Sequence, residues 1–234
     1  MIPLKDTLPL RSFPVINTIL IVLNCLVFLL QSSLGAGEAA FVEQWGMVPL
    51  RIVAGSDPQR LFTVLSSMFM HGGWMHLIGN MWFLYIFGDN VEDALGKPRY
   101  VFFYLLCGMA GAAAQIAIDP WSKIPMIGAS GAIAGVLGGY ISLYPRARVL
   151  TLVPIFIFLQ VMTLPAVVFI ALWFALQALE GMASLGHQGG GTAWWAHIGG
   201  FLVGLAMVRL LVPRHRPLPD PRQYAGPARR RIEW

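Results

Sequence analysis

Apolar residues run along this chain in long blocks broken by short polar punctuation. Crossing a bilayer core of about 30 Å takes about 20 helical residues. Runs of that order occupy 14–33, 72–88, 100–118, 128–144, 162–184 and 194–212, which predicts six membrane-spanning helices. The first run lacks a small-residue cleavage site before polar sequence begins, so it reads as a retained signal anchor rather than a removed signal peptide. Residues 149–184 are almost free of charge and contain Pro154 and Pro165, a length that fits one span or two short ones.

Charge decides between those counts. With six spans and the N-terminus inside, Lys5, Arg11, Lys97, Arg99, Arg146, Arg148 and the arginines from Arg209 onward all fall inside. Of the 16 basic residues, that leaves Arg51, Arg60 and Lys123 outside, as the positive-inside rule prefers. A seventh span would carry the arginine-rich tail across the membrane, so 149–161 is expected to be an interfacial or buried approach to span five. The expected fold class is therefore an all-α polytopic membrane protein, a six-transmembrane-helix bundle with both termini cytoplasmic. Its parts are an N-terminal segment 1–13, a membrane domain 14–212 with an outer loop at 34–71, and a basic Pro/Arg-rich tail 213–234 whose composition predicts disorder.

Composition agrees, with 57% hydrophobic and 12% charged residues, far from a soluble average. The basic tail suits anionic lipid headgroups better than nucleic acid. Cys25 and Cys107 each sit inside an apolar run, which argues against a disulfide framework or a zinc–cysteine site and for small packing residues. Phe41 and Trp45 predict that part of the outer loop lies in the membrane interface.

The topology also places polar residues in depth. Span two enters from outside as "HGGWMHLIGNMWF", with His71, His76 and Asn80; His76 and Asn80, four residues apart, share a helical face. Span four begins near Ser130 and span six near His197. Each has an ordinary explanation alone, because a histidine can reach the interface and a serine can bond its own backbone. Together, His76, Asn80, Ser130 and His197 converge at one depth from three distant segments. Gly131, Gly135 and Gly139 recur every four residues in span four, as do Ala196, Gly200 and Gly204 in span six. Such smooth faces let two backbones approach closely, and their register would put Ser130 beside His197.

A serine hydroxyl needs a base to become a nucleophile, and a neutral imidazole suits that task. Acyl transfer also needs oxyanion donors, which the Ser130 backbone N–H and the His76 and Asn80 side chains are placed to give. A dyad is the simpler reading. Glu180, near the outer end of span five, is the one carboxylate within a span available as a third member.

At these residues the chain resembles the rhomboid family of intramembrane serine proteases. The matching pieces are "HGGWMHLIGN", "GASG" and "AHIGG", in that order on spans two, four and six, with "FGDNVEDALG" as a turn after span two. The resemblance covers roughly residues 45–205 and implies Ser130 as nucleophile and His197 as base and acid. It implies His76 and Asn80 as oxyanion stabilisers, and His71 and Gly128 as supporting residues. It further implies substrates that are single-pass membrane proteins cut within or beside their span, a lipid environment, no cofactor and no metal. The compact form is similar to bacterial members, which implies a cytoplasmic membrane and a site facing the periplasmic side. One departure is Gln59-Arg60 where many relatives carry Trp-Arg in the outer loop. Inactive relatives lack the serine or the histidine; both are present here. Two other classes stay open: a metal site built on His71, His76 and His197, which lacks an HExxH helix and a carboxylate, and a non-catalytic chaperone for client helices.

Overall fold

The computed structural model describes residues 1–55, 57–155, 158–183 and 193–214; the expected disordered tail lies almost wholly outside the described residues. The chain is mostly helical, with a helix at each of the six expected places. In order come β1 (Ile2–Asp6), α1 (Val15–Ser33), α2 (Glu38–Trp45), α3 (Pro49–Ala54) and α4 (Pro58–Ser66). They are followed by α5 (Trp74–Leu95), α6 (Lys97–Ile118), α7 (Ser130–Leu143), β2 (Arg148–Ile155), β3 (Phe158–Pro165), α8 (Ala166–Ala183) and α9 (Trp194–Leu211). Helices α1, α6 and α9 are long and apolar enough to cross a membrane; α7 and the apolar stretch Ala166–Leu179 of α8 are shorter.

Helix α7 is the central element, buried along almost its whole length and packed on α5, α6 and α9. Its glycines make that possible. A Cβ on Gly200 would overlap the Gly131 carbonyl oxygen, and one on Gly204 would overlap that of Gly135. The two small-residue faces therefore meet backbone to backbone, as their spacing predicts. On the other side α7 packs on aromatic side chains: Tyr140 meets Phe87 edge-on at 5.1 Å between ring centroids, and Phe103 and Tyr104 are fully buried alongside.

Two regions differ from the sequence-based expectation. "FGDNVEDALG" is not a turn: α5 continues through Leu95, and the turn itself is Gly96, at φ +79°. The polar residues keep the helix going because each has a partner. Glu92 accepts the Ile16 and Asn17 N–H groups at 3.1 and 2.7 Å, capping α1, which has no capping side chain of its own. Asp93 faces Arg11 at 3.8 Å.

The second region, expected at 149–161 as an interfacial or buried approach to span five, carries the paired strands β2 and β3, to which the N-terminal segment adds a third. The sheet order is β1-β2-β3, antiparallel throughout, with Ile2 opposite Leu152 and Arg148 opposite Pro165. Pro154 disfavours a helix there, and the Val, Leu and Thr residues around it favour strand pairing.

Candidate active site

Ser130 opens α7 and His197 lies in the first turn of α9. Because a Cβ on Gly131 would stand 3.4 Å from the Ala196 carbonyl oxygen, the preceding serine and the following histidine face each other. Ser130 Oγ and His197 Nε2 are 2.7 Å apart. His197 is 6% exposed, and its ring is flanked by Trp173 and Trp194, each at 5.9 Å between centroids.

The other imidazole nitrogen, Nδ1, meets Oε1 of Gln177 on α8. The sequence reading missed this residue and weighed Glu180 instead, whose side chain lies outside the described residues. A signal was present: Gln177 is the lone amide in "AVVFIALWFALQAL", one helical turn after Trp173 and so on its face.

Across the site, the Gly72 N–H donates to His76 Nδ1 at 3.3 Å. Nδ1 is thus an acceptor, so the neutral ring carries its proton on Nε2. A Cβ on Gly128 would lie 2.9 Å from His76 Nε2 and 3.6 Å from Ser130 Oγ, so glycine alone leaves this gap open, and its φ of +131° excludes most side chains as well. The Gly128 N–H donates to the Ser67 carbonyl at 2.9 Å, fixing the turn into α7. Asn80, one turn beyond His76, is buried, and its Nδ2 has no hydrogen-bond acceptor among the described residues.

His71 stands behind this pair. Gln31 of α1 donates to its carbonyl at 2.7 Å, and its ring meets His76 edge-on at 5.0 Å between centroids. Burial, and then the neighbouring His76, push the His71 pKa down to about 3. It is a neutral wedge behind the His76 ring.

A cavity of about 1190 Å³ opens over these groups, lined by His76, Asn80, Ser130 and His197 together with Gln115 and Trp121. One wall is the segment before α7, tied to the outer loop by hydrogen bonds from Met47 N–H to Met126 O at 3.1 Å and from Leu50 N–H to Ser122 O at 3.0 Å. Gln59 is exposed at the start of α4. Within the same loop, Trp45 and Phe62 meet edge-on at 6.4 Å between ring centroids. Among the described residues, no group of three or more His, Cys, Asp or Glu is placed to hold a metal ion.

An apolar helical bundle whose large crevice is lined by a contacting Ser–His pair defines an integral membrane protein. The rhomboid domain model matches residues 58–214, and the chain belongs to the rhomboid family. It is 31% identical over 191 residues to RHOMBOID-like protein 4 of Arabidopsis thaliana, covering 78% of this chain and 42% of that one. To the rhomboid protease GluP of Bacillus subtilis it is 29% identical over 197 residues, 83% of this chain and 35% of the relative. It is also 30% identical over 98 residues to inactive rhomboid protein 1 of Drosophila melanogaster, 42% of this chain and 7% of the relative. The chain thus spans less than half the length of these curated relatives, and both active and inactive names occur among them.

Proposed function

We propose that this protein is an intramembrane serine endopeptidase that cleaves single-pass membrane proteins within or beside their spans. The observation that carries the reading is the 2.7 Å contact between Ser130 Oγ and His197 Nε2, with the far nitrogen of the same ring already occupied. Ser130 attacks the scissile carbonyl while His197 Nε2 takes its proton. The oxyanion accepts hydrogen bonds from His76 Nε2–H, from Asn80 Nδ2–H and from the Ser130 backbone N–H at the start of α7. His197 then protonates the leaving amine, and water entering by the crevice releases the acyl group. A substrate helix must unwind to present its carbonyl, since helical backbone groups are already paired; Gly or Pro in the outer half of a span therefore favours cleavage.

In this reading the six helices span the membrane with both termini inside, in a bacterial cytoplasmic membrane, and the crevice opens to the outer side. The test is cleavage of a reconstituted single-span substrate with Gly or Pro in its outer half, by the parent and by Ser130→Ala, with and without chelator. Cleavage that is lost in the variant by at least about 10³-fold and is indifferent to chelator supports the reading. Equal cleavage by both proteins removes Ser130 from the chemistry, and chelator sensitivity points to a metal. Client binding that persists in Ser130→Ala with no cleavage by the parent indicates a chaperone.

A further inference from the structure

Among the described residues, the group against the outer imidazole nitrogen of the Ser130–His197 pair is not a carboxylate but the amide of Gln177. We infer that Gln177 is a positioning residue for the reaction, holding His197 in the tautomer that lets Nε2 act as a base. This inference rests on the protease reading above.

A neutral imidazole carries one proton. With the Gln177 amide oxygen against Nδ1, that proton sits on Nδ1, and the Nε2 lone pair faces the Ser130 hydroxyl at 2.7 Å. If the amide were rotated to present its NH2, Nδ1 would become the acceptor. Nε2 would then carry the proton and donate to Ser130, the wrong direction for a base. As the Ser130 proton moves to Nε2 during attack, the ring becomes an imidazolium, and its bond to the Gln177 oxygen becomes a stronger, charge-assisted one.

Position reinforces the role. Gln177 is buried, and Trp173, one turn earlier on α8, flanks the same ring at 5.9 Å, so a single helix face sets both the tilt and the tautomer of His197. An amide also suits the depth. A carboxylate there would have to stay ionised within an apolar bundle, where an isolated charge is costly. The amide supplies the acceptor without the charge, and accepts a weaker stabilisation of the imidazolium in return.

The experiment uses the full chain in proteoliposomes, with two readouts: the rate at which a fluorophosphonate labels the serine, which needs no substrate helix, and kcat and KM on a single-span substrate. Gln177→Leu is expected to slow labelling and kcat about 10- to 100-fold with KM within about twofold. That is less than the roughly 10⁴-fold effect of correcting or spoiling a tautomer through a carboxylate. Gln177→Glu places a charge on the ring and is expected to move the acid limb of the labelling rate to higher pH. Parent-like labelling in Gln177→Leu overturns the positioning role. So does an unmoved acid limb in Gln177→Glu accompanied by equal falls in labelling and thermal midpoint in both variants. A parent that does not label, or labelling that survives Ser130→Ala, overturns the protease reading instead.

Discussion

The two ends of the bundle handle polar groups in opposite ways. At the end remote from Ser130, Asp6 accepts from Tyr140 Oη at 2.7 Å and Asn90 Nδ2 at 3.0 Å, while Tyr144 Oη donates to the Asn90 carbonyl at 3.2 Å. Beside them, Glu92 caps α1, and Trp82 donates to the Pro3 carbonyl at 2.7 Å. At the Ser130 end, Asn80 Nδ2 and Gln115 Oε1 are buried without a hydrogen-bond partner among the described residues. Both ends are built on the same helices, α5 and α7. An unpaired buried donor costs free energy, and it is retained where something other than folding uses it. The remote end ties β1 to the helices; among the described residues, the Ser130 end leaves the Asn80 donor free for another partner.

The comparison can be broken most sharply at Asn80. Asn80→Leu is expected to lower kcat about 10²- to 10³-fold, the range for losing one oxyanion donor, while leaving the thermal midpoint in detergent unchanged or raised, because no hydrogen bond of Nδ2 is lost. A fall in stability with kcat preserved would make Asn80 a packing residue. Asn90→Leu on the same helix is expected to do the reverse. It removes a donor from the buried Asp6 carboxylate, costing about 1–3 kcal/mol of stability, with cleavage per folded molecule within a few-fold of the parent. A thermal midpoint equal to the parent's would show that the remote network does not hold the fold.

The smallest effect is a pH dependence. Burial raises the Asp6 carboxyl pKa from 3.8 to about 6, against the opposing hydrogen bond from Tyr140. A raised folded value means that the fold prefers the protonated acid. Its contribution is complete below 3.8 and is lost as pH rises through about 6. The parent is expected to be about 1 kcal/mol more stable at pH 5 than at pH 7 through this group. Thermal unfolding of Asp6→Asn at the two pH values isolates the effect; a difference as large as the parent's would place its origin elsewhere.

Ser130, His197, His76 and Asn80 were legible in the chain because each sits at a local, repeating signal: the start of an apolar run, or a four-residue spacing from a glycine or another polar residue. The same local reading took 87–96 for a turn. Asn90, Glu92 and Asp93 look like turn residues until Arg11, Asp6 and the start of α1 arrive to pair with them. The pairing of β2 with β3 was hidden for a similar reason. Their apolar composition is that of a membrane approach, and only β1, from the far end of the chain, reveals them as part of a sheet.

Hydropathy and small-residue spacing thus determined by themselves that this chain forms helices at six places, and which helix faces are smooth enough to touch, since both depend only on neighbours three or four residues away. Only the tertiary structure decided which groups complete those faces. Gln177 reaches His197, and Gly128 leaves room for His76, because α8 and the segment before α7 are carried there by packing across the bundle. Contacts of that kind join residues whose separation along the chain carries no periodic signal.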